Sequence, residues 1–159
     1  MMNEGIQLRR ATQRDREDLC EIQRSAILAL GRSHYSEAEV EAWSSGLTPE
    51  RYEKMIADDL VVVVDRGSQQ IAFGRLESNG EVGAVYVRPG FERQGIGTAV
   101  LAELLSEAKR SGLQAVHCKS SLCAEAFYAH AGFQPGERCK HLFRTGREIE
   151  CVPMTKTLD

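Results

Sequence analysis

The sequence predicts a mixed α/β (or α+β) fold, a central sheet with helices on both faces. Two observations predict it. Three strand-like runs, 60–64, 70–77 and 81–87, follow one another across short turns as an antiparallel meander. An amphipathic helical pattern over 97–110 then separates the last of these from a further strand-like run at 113–119, the order of a strand–helix–strand crossing. A meander joined to such a crossing needs strands of both directions, with helices covering the sheet.

Ile6 to Arg10 alternates enough for a first strand. Thr12 supplies an N-cap behind it, with Asp15 placed to meet the free N–H groups of the first turn. Leu19, Ile22, Ala26, Ile27 and Leu30 mark one apolar helix face, which Gly31 ends. Ser36 caps a second helix with Tyr35, Ala38, Ala42 and Leu47 on one side, and Pro49 opens a third that runs to about Ala57. The run 60–64 is β-branched and apolar on both faces, as an interior strand requires. Turns at 65–68 and 78–80 connect it to the strands that follow. Val100, Leu101, Leu104, Leu105 and Ala108 form the stripe of the long helix, stopped by Gly112. A helix over 124–131 ends at Gly132, and Phe133 begins a closing pair of strands that turns at 144–147.

With 159 residues, 42% hydrophobic and 27% charged, and no repeat or linker-like tract, one domain over 1–159 is expected. A net charge of −3 argues against a nucleic-acid or membrane-surface role, which needs a concentrated basic face. No apolar stretch approaches membrane-spanning length, and the first residues lack the pattern of a signal peptide, so a cytoplasmic protein is expected. Five cysteines, odd in number and scattered, suit free thiols in a reducing compartment. His117 and Cys118 are adjacent on an expected strand and face opposite ways, so no metal site is expected from them.

The most informative run is 85–101, which reads as a strand, a turn, the glycines Gly95 and Gly97, and the first turns of a helix. Glycine lets backbone N–H groups approach a ligand, and a helix N-terminus adds unpaired donors and partial positive charge. That is a seat for phosphate. A dinucleotide fingerprint would turn directly out of its strand, whereas seven residues separate Val87 from Gly95. Gly90 and Gly95 have the spacing of a P-loop, but Ile96 and Gly97 stand where lysine and a hydroxyl residue belong. Taken alone, the glycines could also serve only the turn of a surface helix.

Arg88-Pro89-Gly90-Phe91-Glu92-Arg93-Gln94-Gly95-Ile96-Gly97-Thr98-Ala99 closely resembles the pyrophosphate-binding motif of the GNAT superfamily of N-acetyltransferases. Ala124-Glu125-Ala126-Phe127-Tyr128-Ala129-His130-Ala131-Gly132-Phe133 resembles a second signature of that family, and Val152 to Leu158 resembles its last strand. The stretch from His34 through Trp43 is similar to that of the bacterial YafP-like acetyltransferases. The resemblance covers the whole chain. It implies a GNAT-type acyl-CoA N-acyltransferase fold with about six or seven strands, and an acetyl-CoA co-substrate with no metal. One departure stands out: Glu92 occupies a place where the family usually has Gln or Arg. An acid beside a pyrophosphate is unfavourable, so its side chain is expected to point away.

The resemblance also implies roles. Arg93, Gln94, Gly95, Ile96, Gly97 and Thr98 would bind the pyrophosphate, and the edge of Val85, Tyr86 and Val87 would pair with pantetheine amides. Ser121 stands where the family often has an asparagine contacting the cofactor. Tyr128 matches the tyrosine commonly used as general acid, with packing in the helix–sheet core as the competing explanation. Glu81 and Glu77 are candidates to receive a proton through water, Glu77 also to contact the substrate, although a solvated strand face is the usual explanation for each taken singly. His34, Tyr35 and Trp43 lie where the family places its acceptor wall, beside Glu37, Glu39 and Glu41. They imply either a pocket for a cationic or amine-bearing substrate, with His34 as a candidate polar contact or base, or simple helix packing. The expected activity is acetyl transfer to a primary amine of a small molecule or protein, with a non-catalytic acyl-CoA-binding domain as the alternative. The sequence leaves open the choice between monomer and homodimer.

Overall fold

The apolar run at 60–64 becomes an interior strand. In the computed structural model, which describes residues 5–159, β2 (Leu60–Arg66) pairs antiparallel with β1 (Ile6–Arg10) on one side and β3 (Gln69–Leu76) on the other. β4 (Val82–Val87) completes a sheet of order β1-β2-β3-β4. Val61 and Val63 join one core cluster, with Leu19, Ile22 and Tyr52 from α1 (Arg16–Leu30) and α3 (Pro49–Asp58). Val62 and Val64 join the clusters on the opposite face, beneath α4 (Ile96–Arg110). The strand is buried on both sides because helices cover both. Gly74 lets α4 lie close to β3: a Cβ there would stand 2.4 Å from Val100 Cγ1.

The remaining strands form a second sheet. β8 (Glu148–Thr157) pairs with β5 (Ala115–Ser121), with the short β6 (Gln134–Pro135), and with β7 (Cys139–Leu142). The expected closing pair is therefore three strands, because the chain after Phe133 pairs with β8 twice. The two sheets join at one parallel bridge, Glu81 to His117, with the His117 N–H donating to the Gly80 carbonyl at 3.1 Å. Beyond that bridge β4 and β5 share no ladder pair among the described residues. A bulge explains the parting: Arg75 pairs with Ala84 and Leu76 with Val82, leaving Gly83 as the extra residue. A bulged strand bends and twists more strongly. The sheet thus opens into a wedge between β4 and β5, with α5 (Glu125–His130) following β5.

Local chemistry sets the helix starts. Asp15, buried, accepts from the Thr12 N–H at 2.7 Å and pairs with Arg9, which also grips Asp65. Burial pushes the Asp15 carboxyl up, but Arg9 and the Thr12 N–H together outweigh it and hold it below its ordinary value. Ser36 and Glu39 form a reciprocal capping box at α2 (Glu37–Ser45). Its buried face is the expected one except at Ala38. Tyr35, Ala42 and Leu47 are buried, while Ala38 is exposed and Val40 packs instead against Gly31, whose Cβ position lies 2.9 Å from Val40 Cγ2. Leu30, expected on the core face of α1, is 48% exposed. No helix among the described residues is long and apolar enough to cross a membrane.

Candidate active site

The glycine run sits at the mouth of the wedge. β4 ends at Val87, and the turn after it closes with the Phe91 N–H donating to the Arg88 carbonyl at 3.1 Å. Arg93 adopts φ 63° and Gly95 φ 78°, so two residues of left-handed backbone turn the chain into α4. Gly95 is the N-cap, and the Ala99 N–H is the first to bond back to its carbonyl, at 3.0 Å. The N–H groups of Ile96, Gly97 and Thr98 therefore have no intrahelical acceptor. Gly97 faces Phe127, whose Cε1 would be 3.3 Å from a Cβ, so a larger residue would crowd the α5 side of the wedge.

These groups border a largely apolar cavity of about 310 Å³. Arg93, Gly95, Ile96, Gly97 and Thr98 line it from the loop, and Val85, Tyr86 and Val87 from the strand edge. Ser121 lines it from the end of β5. Of the residues expected to hold a cofactor, Gln94 alone is not part of the lining. Glu92 does line it, but its carboxylate accepts a hydrogen bond from the Gly90 N–H, which turns it back toward the start of the loop.

A second cavity, of about 290 Å³, opens on the other side of the wedge. Trp43, Val85, Tyr86, Ser121 and Ala124 line both, so the two spaces meet where β4 and β5 part. Tyr128 lines the second cavity and is 6% exposed, its ring set edge-on to Phe127 and Phe133. No protein group among the described residues hydrogen-bonds its hydroxyl. Burial, with smaller contributions from Cys118 and Tyr86, pushes its phenol well above 10, so it stays protonated at neutral pH. Burial likewise pushes Tyr86 up to about 12. Glu81 lines the same cavity, with Oε1 3.6 Å from His117 Nε2.

Four sequence expectations change. His34 is exposed, its Nδ1 2.8 Å from Ser33 Oγ, and lines neither cavity. Tyr35 is buried and lines neither. Its hydroxyl donates to the Glu150 carbonyl at 2.6 Å and accepts from the Leu122 N–H at 2.9 Å, tying the α1–α2 connection to β8 and to the turn after β5. Glu77 also lies outside the lining. It pairs with Arg75 at 3.5 Å, and burial, opposed by Arg75 and aided by Glu81, raises its carboxyl. Glu37, Glu39 and Glu41 line neither cavity, so the acidic stretch does not make a cation pocket. Trp43 alone from that segment reaches the site.

Sequence reasoning missed the other walls. Arg51 enters from the first turn of α3, Lys119 from β5, and His141, Phe143, Ile149 and Cys151 from the closing hairpin. None of these sits in a recognisable motif, and only the fold brings them to one space. The cysteines also proved less scattered than their spacing implied. Cys139 and Cys151 are direct cross-strand partners with Sγ atoms 3.2 Å apart.

Comparison with known proteins agrees with this geometry. Residues 32–158 match the family model described as an acetyltransferase (GNAT) domain. The chain is 27% identical over 131 residues to the uncharacterized N-acetyltransferase YafP of Escherichia coli (strain K12), covering 82% of each. Its fold superposes on a GCN5-related N-acetyltransferase from Rhodopseudomonas palustris with a TM-score of 0.93 at 23% identity, covering 99% of both chains. It also superposes on the PaiA N-acetyltransferase of Thermoplasma acidophilum, solved in complex with coenzyme A, with a TM-score of 0.79 at 22% identity, over 96% of this chain and 99% of that one.

Proposed function

The chain belongs to the GNAT acetyltransferase family, and from that premise we propose that it is an acetyl-CoA-dependent N-acetyltransferase. The acetyl group would pass directly to a primary amine, with Tyr128 as general acid. The observation that carries this reading is the meeting of two cavities at the parting of β4 and β5, one bordered by the glycine loop and the other by Tyr128.

The residues present fit the co-substrate. The unpaired N–H groups of Ile96, Gly97 and Thr98, at the positive end of α4, suit a pyrophosphate. The unpaired edge of Val85, Tyr86 and Val87 offers backbone donors and acceptors to an extended amide chain. Acetyl-CoA would supply the activated thioester. The chain's own contribution is to hold the thioester and the amine face to face across the opening and to move two protons. A neutral amine is needed for attack, and Glu81, which lines the second cavity, would receive its proton through water. The leaving sulfur needs a proton, and the Tyr128 hydroxyl, protonated and unbonded to protein, would give it.

The test is thiol release from acetyl-CoA across a panel of amines, with coenzyme A binding measured calorimetrically in parallel. Turnover is expected, and Tyr128→Phe should lower kcat by about 100-fold while leaving coenzyme A affinity within about threefold. Full turnover by that variant would remove Tyr128 from the mechanism. Coenzyme A binding without turnover on any amine would identify a non-catalytic acyl-CoA-binding domain instead.

A further inference from the structure

The second cavity carries an unbalanced charge. Its lining holds three cationic side chains, Arg51, Arg75 and Lys119, but a single carboxylate, Glu81. Arg75 is already neutralised: its Nε lies 2.8 Å from Asp59, and its Nη2 is 3.5 Å from Glu77. Arg51 and Lys119 are not. Neither side chain has an ion-pair or hydrogen-bond partner among the described residues, and both belong to exposed residues. They enter from different walls, Arg51 from α3 and Lys119 from β5 in the other sheet. Both act on the cavity itself. Arg51 lies within electrostatic reach of the Tyr86 phenol, and Lys119 of the Cys151 thiol.

Two unpaired cations facing a small cavity favour a ligand that brings its own negative charge. The rest of the molecule works against such a ligand, because the chain carries a net charge of −3. Any selection of anions must therefore arise locally. A volume of about 290 Å³ suits a small molecule.

We propose that the acceptor is a small amine bearing an anionic group, a carboxylate or a phosphonate, seated on Arg51 and Lys119 with its amino group toward Glu81 and Tyr128. The proposal rests on reading this cavity as the place of the acyl acceptor. It gives the two cations the role of choosing the substrate, while Glu81 and Tyr128 handle its protons. A bidentate guanidinium and a flexible ammonium together would hold a planar carboxylate or a tetrahedral phosphonate.

Matched pairs of ligands test this. Amino acids and aminoalkyl phosphonates would be compared with their neutral carboxamides or esters, in two readouts. One is thiol release from acetyl-CoA. The other is the fluorescence of Trp43, the sole tryptophan and part of the cavity wall, which reports binding without turnover. The anionic member of a pair should be favoured about tenfold in kcat/KM or in Kd. The carboxylate and phosphonate arms show which anion is preferred. In Arg51→Gln and Lys119→Gln that ratio should fall toward one, and as a ratio within one variant it is independent of the amount of folded protein. Equal or better use of neutral amines overturns the proposal, as does an anion preference that both variants retain. Anion-selective binding with no acetyl transfer to any amine refutes the N-acetyltransferase reading alone. Turnover without anion preference refutes the acceptor class alone.

Discussion

Tyr35 separates two accounts of the same segment. Its sequence position suggests a wall of the acceptor site, whereas the fold makes it a tether between the α1–α2 connection and the second sheet. Tyr35→Phe removes only the hydroxyl, leaving the ring against Trp43, where the centroids are 5.6 Å apart. Two hydrogen bonds go with it, the donation to Glu150 O at 2.6 Å and the acceptance from Leu122 N at 2.9 Å. The side chain is 7% exposed, so water replaces these partners poorly. Each bond is worth about 0.5–1.5 kcal/mol, and stranded groups raise the cost, giving about 2–3 kcal/mol in all. For a chain of this length the melting temperature should fall by roughly 5–10 °C. Calorimetry or urea denaturation reads the stability, and steady-state kinetics read the acceptor KM. An unchanged melting temperature would refute the tether. A raised acceptor KM at full stability would return Tyr35 to the site wall.

Other outcomes follow from the same structure. All four tyrosines are raised above 10 chiefly by burial, Tyr35 and Tyr86 to about 12 and Tyr52 and Tyr128 further. A phenol whose folded value exceeds its unfolded one contributes stability in full below pH 10 and loses it as pH rises toward 12. Tyrosinate absorbance should therefore appear together with unfolding in alkaline titration; substantial ionisation of the folded chain at pH 10 would contradict the burial argument. Diamide, which takes two electrons from a thiol pair, should link Cys139 to Cys151 first, since directly opposed cross-strand residues lie within disulfide range. Peptide mapping that found Cys20 or Cys118 linked in the folded protein would count against this pairing.

What sequence could reveal was set by range. The capping signal at Ser36, the interior strand at 60–64, the stripe of α4 and the glycine loop are local patterns, enforced by the backbone and by nearest neighbours, and each appears where the pattern put it, whereas Thr12 caps a short 3-10 turn from which α1 starts at Arg16. Two family signatures about 35 residues apart gave the family and its fold. The limits appear where packing partners lie far along the chain. Val40 rather than Ala38 meets Gly31, and Tyr35 left the site because its hydroxyl met Glu150, 115 residues away.

The site itself divides along the same line. The turn into α4 was legible in the chain, because a left-handed N-cap at Gly95 and the helix start after it need particular residues in consecutive order. The opposite cavity arose from packing alone. Its shape depends on the bulge at Gly83 that parts β4 from β5, and its charge on Arg51 and Lys119, 68 positions apart on elements with no sequence relation. A contiguous motif is written in the chain; a cavity between elements is written in how they pack.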